Sequence, residues 1–309
     1  MRTTRRDADA GFRHDERVDR ELDRLAGLVA GGDVVVLSGA GLSTESGIPD
    51  YRGPSGLARR ATPMTFQTFT GSAAARRRYW ARSHLGWRVI ARATPNAGHR
   101  AVAQLQDAGL LRGIITQNVD GLHTGAGARD VVELHGNLDR VICLECGRLS
   151  PRAELDQRLR AVNRAWRARV LAVNPDGDVD LPDEDLEAFR TVDCTVCGGT
   201  LKPDVVFFGE TVPAGRVATC FDLVDRARLL LVLGSSLTVM SGYRFVLHAA
   251  RLDVPVAIVN TGSTRGDAKA SLLLDAPLGV ALPALVDRLG HGGAASGPNS
   301  LPAGTLAPR

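Results

Sequence analysis

The run Val34-Val35-Val36-Leu37-Ser38-Gly39-Ala40-Gly41-Leu42-Ser43-Thr44-Glu45-Ser46-Gly47-Ile48-Pro49-Asp50-Tyr51-Arg52 decides the fold. Four apolar residues lead without a break into a glycine turn. A strand apolar on both faces belongs in a sheet covered on both sides, and such sheets are usually parallel. Glycines at a strand end let backbone N–H groups approach a phosphate closely. The fingerprint is incomplete, because Thr44 stands where a third glycine is usual and no lysine follows to make a phosphate loop. By itself the turn leaves a tight strand-to-helix connection without a ligand as the lesser alternative. Asp50, Tyr51 and Arg52 then place a carboxylate, an aromatic ring and a cation within a few residues of it.

Further short apolar runs at Ile114-Ile115, 131–134, 229–233 and 256–259 read as strands of the same sheet. Helical patterns separate several of them, at 21–30, 99–108 and 215–226. Alternating strands and helices predict an α/β fold: a Rossmann-like parallel sheet with helices on both faces. Two stretches break the rhythm. Residues 53–97 are Arg-rich and helical in pattern, with Tyr79, Trp80 and Trp87 as packing anchors, and 143–199 is bounded by two cysteine pairs and holds a polar loop at 174–182. They predict a smaller helical and zinc-ribbon domain inserted into the larger one. The expected division is 16–56, 98–138 and 201–290 for the large domain, with 57–97 and 139–200 for the small one. Residues 1–15 and 291–309 are expected to be disordered.

Bulk composition narrows the class. The chain has 309 residues, 44% hydrophobic and 23% charged, with a net charge of +4, which is ordinary for a soluble globular protein. Seven arginines in the first 24 residues are balanced by seven acids, which argues against a nucleic-acid arm or a transit peptide. No apolar run approaches the roughly 20 residues of a membrane span. Neither nucleic acid nor membrane is expected as a partner. Five cysteines without a secretory signal point to a reducing compartment, and the expected location is the cytoplasm.

Cys143-Leu144-Glu145-Cys146 and Cys194-Thr195-Val196-Cys197 are two C-x-x-C pairs, each followed by glycine. Two such pairs clasp one tetrahedral Zn²⁺, and four thiolates leave no position open to water, so the metal is structural. Gln117, Asn118, Val119 and Asp120 follow a strand, where ligands of open parallel sheets bind, and amide and carboxylate groups suit ribose hydroxyls. His135, in Glu133-Leu134-His135-Gly136, ends the next strand and is a candidate general base at neutral pH.

Together these segments resemble the sirtuin family. The matching motifs are the Gly39–Arg52 run, Thr116-Gln117-Asn118-Val119-Asp120-Gly121-Leu122-His123, Leu134-His135-Gly136 and both cysteine pairs. Further matches are Leu201–Glu210, Gly234-Ser235-Ser236-Leu237 and Val259-Asn260; all occur in family order over residues 20–290. The Tyr79-Trp80-Ala81-Arg82 segment and the long insert between the cysteine pairs resemble the class II branch. The resemblance implies an NAD-dependent protein-lysine deacylase that consumes NAD and acts on acyl-lysine proteins or peptides. It places NAD contacts at Gly39, Ala40, Gly41, Ser43, Asp50, Tyr51 and Arg52, at Gln117, Asn118, Val119 and Asp120, and at Gly234, Ser235 and Ser236. It adds Asn260, Thr261 and Gly262, and Leu278 against the adenine. Asn118 and Asp120 would assist His135 in catalysis. Val205, Val206, Phe207 and Phe208, an apolar run that also reads as a core strand, would line the acyl-lysine tunnel.

In the family's chemistry the acyl oxygen attacks the ribose as nicotinamide leaves. The base then accepts a proton from the ribose hydroxyls, and the products are free lysine and O-acyl-ADP-ribose. Sirtuins that take acidic acyl groups carry a Tyr-x-x-Arg pair. Gly56-Leu57-Ala58-Arg59 lacks that tyrosine, and Tyr79 and Arg82 have the spacing but sit on a packing helix, so acetyl or longer neutral groups are expected. A protein ADP-ribosyltransferase using the same site stays open at this stage, as does a non-catalytic NAD-binding module.

Overall fold

The computed structural model describes residues 5–50, 63–173 and 178–292. Six parallel strands form the main sheet: β1 (Val34–Ser38), β2 (Leu111–Thr116), β3 (Val131–Glu133), β9 (Leu229–Leu233), β10 (Val256–Val259) and β11 (Leu272–Leu274). Their order is β11-β10-β9-β1-β2-β3, every pair parallel. From β1 the chain builds one half of the sheet outward through β2 and β3, and from β9 the other half. The order therefore reverses between β1 and β9, and the carboxyl ends of those two strands flank the crevice where such sheets bind ligands.

The reason for a two-sided cover lies in β1. Val34 and Val36 point into one buried cluster with Leu22, Leu25 and Val29 of helix α1 (Arg5–Val29). Val35 and Leu37 point into the other, with Phe245, Val246 and Ala249. Side chains alternate along a strand, so an unbroken apolar run demands helices on both faces. Helix α1 begins at Arg5, within the segment 1–15 expected to be disordered. The docked turns at Leu22–Val29 supply the costly nucleus, and adding helix-forming residues to it is cheap. At the other end, the last helix reaches Gly292, two residues into the tail expected to be disordered; residues 293–309 lie outside the described residues.

A second, antiparallel sheet has the order β5-β4-β8, with β4 Gly136–Cys143, β5 Leu149–Pro151 and β8 Leu201–Val205. Beside it lie α2 (Phe66–Gly71) and α3 (Ala73–Ile90), capped by the Thr65 and Ser72 side chains. Their Phe69, Tyr79 and Trp80 share one apolar cluster with Val141, Leu155, Leu159 and Phe189. Two expectations change here. The apolar run 205–208 is not a strand: β8 ends at Val205, because after the last ladder bond, from the Val206 amide to the His135 carbonyl at 2.8 Å, the Phe207 amide turns to the Glu210 carboxylate at 2.8 Å. The polar loop at 174–182 contains a short strand, β7 (Val179–Asp180), paired with β6 (Ala172–Val173). Val179 is buried, and the adjoining Asp178 and Asp180 grip Arg82 of α3 at 3.0 and 2.6 Å.

Remaining helices are α4 (Ala97–Asp107), α5 (Leu122–Gly125), α6 (Arg152–Val162), α7 (Glu184–Glu187), α8 (Ala214–Asp225), α9 (Met240–Arg251) and α10 (Leu278–Gly292). No described helix is long and apolar enough to cross a membrane.

Candidate functional site

The turns after β1 and β9 press against each other. A Cβ on Gly39 would stand 2.7 Å from Ser235 Cβ, and one on Gly41 2.9 Å from Gly234 Cα. Gly234 itself has φ +61°. Only glycine permits this approach of two backbones, and it opens a cradle at the switch point. The cradle belongs to a cavity of about 710 Å³, well within the size of small-molecule sites.

Gln117, Asn118 and Asp120 enter the cavity from beyond β2. Asn118 Nδ2 donates to the Gly39 carbonyl and to Ser43 Oγ at 3.0 and 3.1 Å. Ser43 Oγ in turn donates to Asp120 Oδ2 at 2.7 Å, and Asp120 Oδ1 takes the Leu122 amide at 2.9 Å. Burial pushes the Asp120 carboxyl above its ordinary range, against the pull of the Leu122 and Ser43 donors. Gln117 Nε2 donates to Ser235 Oγ at 2.8 Å, tying the two halves of the sheet together.

His135 precedes β4. Its Nδ1 lies 3.0 Å from the Gln117 carbonyl and its Nε2 2.8 Å from Ser241 Oγ. A carbonyl only accepts, so Nδ1 carries the proton and Nε2 keeps its lone pair. Burial holds the ring below the ordinary imidazole range; Arg244 and Arg216 act the same way, and the Gln117 bond opposes them. A neutral imidazole with an unprotonated Nε2 can take a proton.

The turn bearing His135 is anchored by ions. Arg140 joins Glu133 at 2.7 Å and Asp204 at 2.9 Å, and Asp204 also meets Arg216 at 3.2 Å. Lys202, which is buried, reaches Glu210 at 3.2 Å, and Glu210 accepts the Phe207 amide at 2.8 Å. These bonds shape the segment after β8, where Val205 and Val206 line the cavity, Phe207 is buried against Tyr79 and Phe69, and Phe208 stands exposed at the rim.

Among residues named from sequence, the cavity wall includes Gly39, Ala40, Gly41, Ser43, Asp50, Gln117, Asn118, Val119, Asp120, His135, Gly234, Ser235, Ser236, Asn260 and Thr261. Gly262 and Leu278 do not line it. Gly262 is exposed and donates to Asp275 at 3.1 Å, while Leu278 is buried in the core with its Cδ1 against Gly234. Tyr51, Arg52 and the loop 56–59 lie outside the described residues. Sequence reasoning missed Ile90, Leu138, Ser241 and Arg244 in the wall, and it read Tyr79 only as a packing anchor. Tyr79 does both. No spacing rule marks Ser241 or Arg244 as part of a site; the periodicity of α9 puts Ser241 four residues before Phe245 on the inward face, and Arg244 off it.

At the far end of β4, the Sγ atoms of Cys143, Cys146, Cys194 and Cys197 all lie within 4.8 Å of one another. The Cys143–Cys197 and Cys146–Cys194 pairs are 3.5 and 3.9 Å apart. Four thiolates each about 2.3 Å from a tetrahedral Zn²⁺ stand roughly 3.8 Å from each other, so the set fits that ion. Cys220 is buried in the core under α8.

The architecture is that of a Rossmann-like nucleotide-binding protein with a cysteine-clasped metal module. The Sir2 family model matches residues 39–241, and the chain belongs to that family, the sirtuins. It is 61% identical over 270 residues to NAD-dependent protein deacetylase 1 of Streptomyces coelicolor, covering 87% of this chain and 90% of that protein. It is also 46% identical over 271 residues to the NAD-dependent protein lipoamidase sirtuin-4, mitochondrial, of Bos taurus, covering 87% and 85%. A solved Sir2 variant carrying a deacetylated p53 peptide and 3'-O-acetyl-ADP-ribose superposes with a TM-score of 0.69 at 28% identity, over 87% of this chain and 97% of that one.

Proposed function

We propose that the protein is an NAD-dependent protein-lysine deacylase with His135 as its general base. The observation that carries this reading is the state of His135: its proton sits on Nδ1, bonded to Gln117, and its Nε2, which meets the Ser241 hydroxyl, is unprotonated on a ring that lines the cavity the glycine turns open. NAD, when bound, supplies the glycosidic bond whose cleavage frees nicotinamide and leaves ADP-ribose as the acyl acceptor. The cradle that a Cβ on Gly39, Gly41 or Gly234 would fill suits its phosphates. Ala40, Ser43, Asp50, Ser235 and Ser236 line that end, with Asn260 and Thr261 toward the adenosine half. Asn118 and Asp120, locked through Ser43, orient the nicotinamide ribose. His135 Nε2 takes a proton from a ribose hydroxyl and so makes that oxygen a nucleophile toward the acyl carbon.

Val205 and Val206 exclude water from the acyl group, and Phe208 guides the extended peptide at the rim. Tyr79 lines the cavity, whereas Arg82, one turn further along α3, is occupied by Asp178 and Asp180. A cation already paired with two carboxylates offers little to a third, so acetyl and longer neutral acyl groups are the substrates. The bovine relative named a lipoamidase and the cavity volume fit that range. We read the parallel sheet with the clusters on its two faces as one domain and the cluster around Phe69, Tyr79 and Val141 as the core of a second, divided near 57, 98, 139 and 201, with a structural Zn²⁺ in the smaller one. A thiolate site of this kind fits the reducing cytoplasm.

The test is mass spectrometry of the protein with NAD and peptides carrying acetyl, lipoyl, octanoyl and succinyl lysine. Matched nicotinamide and O-acyl-ADP-ribose, strongest with neutral groups, is the expected result. ADP-ribose retained on protein, with every peptide unchanged, would instead establish transfer to protein and overturn the deacylase.

A further inference from the structure

Helix α9 brings a hydroxyl to the one nitrogen of His135 that the proposed chemistry uses. Because Nδ1 donates to the Gln117 carbonyl, Ser241 Oγ at 2.8 Å is the donor and Nε2 the acceptor. The ring is therefore held from two sides, by the end of β2 and by the first turn of α9. Local packing explains why that turn can reach it. Gly242 is buried, and a Cβ there would collide with the side-chain amide of Gln117, the residue whose carbonyl takes Nδ1. Gln117 is itself pinned by Ser235 Oγ at 2.8 Å. Ser241, His135 and Gln117 thus form one cluster, and Ser241 and Arg244 both line the cavity.

We propose that Ser241 is a positioning residue for His135: its hydroxyl holds the ring so that Nε2 faces the cavity, and gives that nitrogen up to the substrate hydroxyl on arrival. The proposal rests on the reading of His135 as the base. A serine hydroxyl suits the task because it moves between rotamers at small cost. It can also accept from Nε2–H once the proton has been transferred, so it serves the ring in both states.

The experiment compares His135→Ala, Ser241→Ala and Ser241→Thr with the unaltered protein, using an acetyl-lysine peptide. Two rates are followed: exchange of labelled nicotinamide into NAD, which reports glycosidic cleavage before the base acts, and O-acetyl-ADP-ribose formation, which needs the base. Ser241→Ala should lower kcat for O-acetyl-ADP-ribose about tenfold, the effect of one lost hydrogen bond. The KM for NAD and the exchange rate should stay within about twofold, since only a later step is touched. Ser241→Thr, which keeps a hydroxyl, should recover most of the loss. Undiminished product formation in Ser241→Ala overturns the proposal, and so does an equal fall in both rates, which marks a merely structural role. If either occurs while His135→Ala is inactive, the base assignment stands and only the role of Ser241 falls. Full turnover in His135→Ala removes both.

Discussion

Gly136 crosses Asp204 backbone to backbone: a Cβ at position 136 would run into the Asp204 carbonyl, and Gly136 has φ +87°. The crossing joins the first residue of β4 to β8, immediately beside the His135 carbonyl that receives the Val206 amide. Gly136→Ala must therefore distort the backbone on which the base sits. A loss of about 2 kcal/mol or more is expected from the left-handed backbone and the collision together. Urea denaturation should register the lost stability and a deacylation assay a fall of well over tenfold. A variant with native stability and turnover would show that the two strands separate without cost.

The metal module predicts a second outcome. The four thiolates close one tetrahedral site, and Cys143 is the last residue of the strand that begins beside His135. Elemental analysis should find about one zinc per chain, as a single four-thiolate site demands. Cys143→Ser or a strong chelator should lower the melting temperature and abolish activity together, because the apolar cluster around Val141 and Leu155 includes Cys143 and Cys194. Retained activity in zinc-free protein would refute this link.

The pH dependence of catalysis follows from the low affinity of His135 for protons. The base works when neutral, so activity is lost as pH falls through its folded pKa. Burial with Arg244 and Arg216 sets that pKa below the ordinary 6.5. The acid limb of kcat/KM should accordingly have its midpoint below that value. Arg244→Gln, which removes one repelling charge, should move the midpoint up. A limb at or above the ordinary imidazole value in the unaltered protein would contradict the environment described.

Stability should respond to pH through two other histidines. His99 and His123 are buried edge to face, with ring centroids 5.3 Å apart. His99 accepts the Asn96 amide in the cap of α4, and His123 meets Ser38 Oγ at 2.8 Å. Burial lowers them to about 4 and about 3. Between these values and 6.5 the unfolded chain binds protons that the folded one refuses, so stability falls as pH falls below 6.5. From neutral pH to about pH 5 each histidine should cost about 2 kcal/mol. Unfolding midpoints measured across this range should drop steeply, and His123→Gln should flatten the slope.

The layered sheet, the metal ligands and most of the cradle could be read from residues 34–41, 114–120 and the cysteine pairs. Those features are local: an apolar run, a glycine turn and a C-x-x-C pair each state their requirement within a few residues. The family resemblance supplied the rest of the expected contacts, including Leu278, which tertiary packing turned into the core against Gly234. Three matters were settled only by the fold. The Phe207 amide left the β8 ladder for the Glu210 carboxylate, Arg82 was claimed by Asp178 and Asp180 nearly a hundred residues away, and Ser241 met Nε2 across 106 positions of chain. Each depends on which groups compete for one donor or acceptor in space. Periodicity and spacing carry no record of that competition, because they are properties of one segment at a time.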